Sequence, residues 1–214
     1  MPSFSERLRA DNATNWNAAI NHRFVDEIFR GAVPHQVMRR YLVQDYQFID
    51  RFVALLGAAI ASADLYPARI RLAQFAAMIT SDENTYFQRS FNALGVPESE
   101  RNEPPLAAVT TQFRALLTDA AESRRYANCL AVLTVAEGIY LEWADQKYPL
   151  PADFIHAEWI TLHNARGFRD FVYWLRSELD RIHDLIDDSE RKSAAEYFRR
   201  TVDLERAFFD YIYE

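Results

Sequence analysis

The stretch Asn128 to Ala144, NCLAVLTVAEGIYLEWA, is apolar on nearly every side. A soluble helix normally keeps one polar face toward water, so a helix without one belongs at the centre of a bundle, enclosed by other helices. No stretch of the chain approaches the ~18 uninterrupted apolar residues that a membrane span requires. The expected fold class is therefore all-α, a helical bundle built around this segment, with no membrane partner.

The remainder of the chain supplies the surrounding helices. In 214 residues there are only 5 Gly and 8 Pro, and they fall at punctuation points between segments whose apolar residues recur at three and four rather than at two. The periodicity predicts helices over Thr14 to Arg30, Pro34 to Ala61, Pro67 to Leu94, Pro105 to Ala120, Ser123 to Lys147, Asp153 to Leu179 and Ser189 to Tyr213, the sixth with a break near Gly167. Gly31 and Gly95 stand where C-terminal caps belong, and Pro34, Pro67 and Pro105 where first turns begin. With no linker, repeat or low-complexity tract, residues 1–214 read as one domain.

Composition excludes several functions. Lys and Arg number 24 against 31 Asp and Glu, a net charge of -7, which disfavours a surface that tracks phosphates, and with it a nucleic-acid partner. Cys129 is the only cysteine, so neither a disulfide framework nor a cysteine-based zinc site is expected. The N-terminus has no basic-then-apolar leader, and the expected location is cytoplasmic.

Three helices place a carboxylate where an apolar residue belongs. Asp45 lies on the stripe Tyr41, Phe48, Ile49, Phe52; Glu137 shares a face with Leu133, Thr134, Tyr140 and Leu141; Glu205 sits among Phe198, Val202, Phe208 and Phe209. A bare buried carboxylate costs several kcal/mol or becomes neutral. Each one alone reads best as the partner of an arginine at a helix seam. Together, with Tyr41, Phe48, Tyr140 and Trp159 available as aromatic walls, they point to a small-molecule pocket whose acids have the raised pKa that general acid chemistry uses.

Other candidates are weaker. His163 follows Trp159 by four residues and shares its helix face. His22 has the single-histidine form of a haem ligand, yet in NHRFVDEIF it reads as a cap or packing residue. A di-iron site needs Glu-x-x-His pairs, and Glu83 has Tyr86 where that histidine would stand. No metal and no cofactor are expected.

The runs YLVQDYQFIDRF (41–52), LAVLTVAEGIYLEWA (130–144), WITLH (159–163) and TVDLERAFFDY near the C-terminus, with NHRFVDEIFRG before them, together resemble the TenA, or thiaminase II, family. The resemblance spans nearly the whole chain. It implies a haem-oxygenase-like helical bundle, a homodimer or homotetramer, and hydrolysis of thiamin-derived pyrimidines in thiamin salvage. By resemblance, Asp45 matches the Asp of the family's LQD-type motif and hydrogen-bonds the pyrimidine's amino group and ring nitrogen. Phe48 is the stacking wall, Tyr140 and His163 occupy aromatic positions of the site, and Glu205 is the catalytic glutamate; Tyr41, on the same helical stripe as Asp45, is expected as a further substrate contact from that placement alone.

One departure from the family stands out. The nucleophilic cysteine four residues before the central tyrosine is Ala136 here. Cys129 is on the same face but roughly 10 Å along the axis, too far to replace it. Glu137 stands beside the vacated position, a pattern resembling the family's Glu-type branch, which converts formylaminomethyl- and aminomethyl-pyrimidines to hydroxymethylpyrimidine. Glu137 and Glu205 are thus the expected catalytic pair, with Asp45 as the anchor. The rivals are a non-enzymatic binding or regulatory protein, for which Asp45 alone would suffice, and a haem or di-iron oxidase on the same fold.

Overall fold

A computed structural model describes residues 2–146 and 148–214. Among these the chain forms α1 (Phe4–Asp11), α2 (Ala13–Ile20), α3 (Arg23–Phe29), α4 (His35–Ser62), α5 (Tyr66–Met78), a π turn (Ile79–Glu83), α6 (Asn84–Ala93), α7 (Glu98–Asn102), α8 (Ala108–Glu122), α9 (Tyr126–Ala144), α10 (Phe154–Asn164), α11 (Arg166–His183) and α12 (Asp188–Tyr211), with no strand. The fold is the all-α, haem-oxygenase-like bundle. No described helix is long and apolar enough to cross a membrane.

The apolar segment is α9, and it sits at the centre as its composition requires. It packs against α12, α11, α10, α4, α8 and α2, and Glu142 is its one residue that is not fully buried. That exception is satisfied at the bundle's edge, where Glu142 accepts from Trp16 Nε1 at 2.8 Å and pairs with Arg176 at 3.0 Å and Arg9 at 3.3 Å. Trp16 also lies over Gly138, where an added Cβ would stand 3.0 Å from the indole ring. α4 and α12 flank α9 and also pack on α8. α12 starts cleanly because the Asp187 side chain accepts from Glu190 N at 2.8 Å, with Asp188 and Glu190 in the first turn facing the positive helix end.

Gly31 and Gly95 adopt φ of +62° and +64°, the left-handed conformation that ends a helix. Several predicted boundaries differ. The helix predicted over Thr14 to Arg30 breaks at Asn21 and His22, because His22 Nδ1 accepts from Phe24 N at 3.1 Å and so begins a new helix. This is the capping role, and Nε2, the nitrogen a haem iron would take, stands 3.4 Å from Asp210 Oδ1. The Pro67 to Leu94 helix is interrupted by the π turn. α8 starts after Pro105, whose carbonyl accepts from Gln44 Nε2 at 3.0 Å. Ser123 closes α8 and Arg124, at φ 52°, turns the chain into α9. The predicted end of that helix at Lys147 lies outside the described residues. The sixth helix breaks at Ala165, near Gly167 as expected, and its second half runs on to His183.

Candidate functional site

A cavity lies where α4, α9, α10, α12 and the π turn converge. Asp45, Phe48, Ile49 and Phe52 come from α4, Ala136, Glu137 and Tyr140 from α9, Trp159 and His163 from α10, Glu205 from α12, and Ile79 and Glu83 from the π turn, with Phe113 and Leu117 of α8 completing the wall. Its volume is about 60 Å³. At on the order of 10–15 Å³ per water, that is space for roughly four waters.

Fully buried acids separate into two kinds. Glu178 has a structural role: it accepts from Tyr126 at 3.1 Å and pairs with Arg181 at 2.8 Å. Asp45, Glu137 and Glu205, exposed by 8%, 7% and 2%, face the cavity, and no described residue donates a hydrogen bond or an ion pair to them. The seam-arginine reading therefore fails for these three.

The electrostatic consequence is large. Burial, and then the charge of Glu83, hold the Asp45 carboxyl well above the usual carboxylate range. Burial followed by the charges of Glu83, Glu205 and Asp45 does the same to Glu137, and burial with Asp45 to Glu205. Glu83, half-buried at the rim, is pushed up to about 8 by desolvation. Like charges sharing a dry site disfavour one another's ionisation, so near neutral pH part of the set carries protons.

The sequence-predicted residues do not all stand on the wall. Phe48 does, held edge-on between Phe113 and Phe208 at 4.9 and 5.0 Å. His163 does also. Its Nδ1 lies 2.8 Å from the Trp159 carbonyl, which only accepts, so Nδ1 carries the proton and Nε2 is left as the acceptor. Burial depresses this histidine to about 4 and keeps it neutral. Tyr41 is the correction. It is fully buried behind the wall, where its hydroxyl meets Tyr140 Oη at 2.8 Å and Trp159 Nε1 at 3.1 Å. The indole can only donate. Tyr41's own proton has one acceptor available, the Tyr140 oxygen, and a buried hydroxyl proton does not go unpaired. Tyr41 therefore donates to Tyr140, and the Tyr140 proton is left to point into the cavity.

Cys129 lies away from this wall. Its thiol is buried, approaches the Ala120 carbonyl at 3.6 Å, and burial raises it to about 12. Ala136, by contrast, lines the cavity. Among the described residues no group of three or more His, Cys, Asp or Glu is disposed to hold a metal ion. Sequence reasoning missed Glu83 as a site residue. Its signal was its place four residues after Ile79 and three before Tyr86, on the apolar stripe of its helix.

A model of the TENA/THI-4/PQQC family matches residues 10–214. An aminopyrimidine aminohydrolase from Halalkalibacterium halodurans is 21% identical over 99% of this chain and 96% of that protein. Another from Bacillus subtilis is 26% identical over 90% of this chain and 80% of that protein. Among solved structures, a TenA homologue from Pyrococcus furiosus superposes with a TM-score of 0.86 at 21% identity, covering 98% of this chain and 100% of that one.

Proposed function

Since the chain belongs to the TENA/THI-4/PQQC family, we propose that its cavity binds an aminopyrimidine derived from thiamin and replaces an exocyclic nitrogen by water without a cysteine nucleophile, as a Glu-type member. The observation that carries this reading is the pair Glu137 and Glu205, buried without a cation on the wall beside Ala136. The aminohydrolase names of the relatives fit it.

Each residue has a task that its surroundings favour. Asp45 accepts the ring amino group, and Phe48 forms one face against which the ring stacks. Of Glu137 and Glu205, the ionised member takes a proton from water as its oxygen attacks. The protonated member gives one to the departing nitrogen. Two carboxyl groups with unequal surroundings divide these duties without any other titrating group. Tyr140 donates toward the reacting centre, oriented from behind by Tyr41, and His163 Nε2 offers an acceptor. A formylaminomethyl-pyrimidine and an aminomethyl-pyrimidine make the same demand, one base for water and one acid for nitrogen.

The test is turnover. Purified protein incubated with aminomethyl- or formylaminomethyl-pyrimidine should accumulate the hydrolysis product, followed by mass spectrometry. Tight binding of the pyrimidine with no product would leave a non-catalytic binding protein.

A further inference from the structure

Glu83 brings a fourth carboxyl group to the cavity by means of a local distortion. At Ile79–Glu83 the helix widens into a π turn, with Asn84 N–H reaching back to the Ile79 carbonyl. Thr80 and Ser81 secure it. Their hydroxyls donate to the Ala76 and Ala77 carbonyls at 2.8 and 2.7 Å. The following residue is tied to α4, where Tyr46 donates to Asn84 Oδ1 at 3.0 Å. Single π turns inside α-helices recur at functional sites because they re-aim one side chain at a cost in hydrogen-bond geometry. Here Ile79 and Glu83 line the cavity while Ser81 and Asp82 face outward.

The titratable groups around Glu83 are Asp45 from α4, Glu137 and Tyr140 from α9, His163 from α10 and Glu205 from α12. The histidine is neutral, and no described residue brings a cation to any of the four acids. A cavity lined by four carboxyl groups lacks one thing, a positive charge, and the substrate is what can supply it. We propose that Glu83 is a specificity-determining residue that makes the cavity prefer a pyrimidine whose exocyclic substituent is a protonated primary amine over its uncharged formamide or alcohol counterparts. This rests on the aminopyrimidine reading and narrows it.

The reaction balances for such a substrate. The methylene–nitrogen bond breaks and a methylene–oxygen bond forms. The proton that a carboxylate takes from water passes to the departing ammonia, so an ammonium substrate and water become an alcohol and ammonium ion with no redox partner. The alcohol is uncharged and leaves the acids more readily than the substrate did. Binding the cation also favours the ionised acids, so association releases protons.

Calorimetry near pH 7.5 in two buffers of different ionisation enthalpy tests this, with aminomethyl-pyrimidine and hydroxymethyl-pyrimidine as titrants. Wild type should bind the amine about tenfold more tightly than the alcohol and release protons with the amine alone. Glu83→Gln should lose about fivefold of that preference and part of the proton release, with the alcohol's affinity nearly unchanged. Asp82→Asn, which removes an exposed neighbouring charge, should keep the wild-type ratio. If Glu83→Gln fails to fold, Glu83→Asp, whose carboxyl is withdrawn by one methylene, should lower the ratio in the same direction. An unchanged ratio in the folded Glu83 variant, with the alcohol still bound, overturns the proposal and leaves the aminopyrimidine reading standing. Wild type that binds neither pyrimidine removes both.

Discussion

Tyr41 Oη stands 2.8 Å from Tyr140 Oη and accepts from Trp159 Nε1 at 3.1 Å, which leaves the Tyr140 oxygen as the acceptor for Tyr41's own proton. The pair converts a hidden phenol into control over one that lines the cavity. Tyr41→Phe leaves the wall's shape intact but frees the Tyr140 hydroxyl to rotate and deprives the buried indole of its acceptor. Turnover should fall about tenfold with little change in KM, since the lost orientation matters most at the transition state. Stability should drop by about 1–3 kcal/mol for the orphaned indole N–H. Steady-state kinetics and a denaturant melt check both; a large KM change with kcat intact would place Tyr41 in direct substrate contact.

Asp45 carries the anchoring role. Asp45→Asn exchanges an acceptor for a group that also donates, directed at the substrate's own amino donor. Losing one charge-assisted hydrogen bond is worth about 1.5–3 kcal/mol, so pyrimidine affinity should fall at least about tenfold. An unchanged dissociation constant would place the anchor elsewhere.

Glu83 should leave a signature in stability. Its pKa is raised from 4.5 to about 8 by burial, so the folded chain keeps a proton that the unfolded chain releases in this window. The associated stability is complete below about pH 4.5 and is lost as pH rises through about 8. Glu83→Gln stays neutral throughout. It should match wild type near pH 5 and exceed it above pH 8 by about 1–2 kcal/mol, a partly solvated group giving less than the full shift. In melting temperature that is about 2–8 °C. A variant equally stable, or less stable, at the higher pH would contradict the burial of this carboxyl.

Much of the site was legible because carboxylates on apolar stripes are visible as violations of a helical period. Asp45, Glu137 and Glu205 broke the pattern of α4, α9 and α12, and the all-round apolarity of α9 put it at the centre. Glu83 was harder to find. In the sequence it reads only as a metal ligand without its histidine, and the hydroxyls of Thr80 and Ser81, which bond to carbonyls of the preceding turn, carry no periodic signal. The stripe points Tyr41 toward the wall, because it gives the direction of a side chain and not which of two hydrogen-bonded phenols reaches the cavity. α1 was missed although its capping box was in plain view, Ser3 and Glu6 exchanging bonds at 2.7 and 3.3 Å. The break at His22 depended on a histidine acting as a cap, a role that Ser, Thr, Asp and Asn usually fill.

The proposed chemistry also fixes the acid side of the pH–rate profile. The base among Glu137 and Glu205 must be ionised to activate water, and burial holds both well above the usual carboxylate range. The rate should therefore decline with acidification at a pH above that range. A limb in the ordinary carboxylate range would mean that the base is solvated.

The central claim is that carboxyl groups on α9 and α12, not a thiolate, carry out the hydrolysis. Its most direct test is the turnover of aminomethyl-pyrimidine by Glu137→Gln, Glu205→Gln and Cys129→Ser measured side by side. An amide can neither take nor give the required proton, so each glutamine variant should lose about 100-fold or more in kcat. Cys129→Ser should remain within about twofold of wild type, because its thiol is buried against the Ala120 carbonyl and away from the cavity. An inactive but folded Cys129→Ser protein beside an active Glu137→Gln protein would contradict the claim outright.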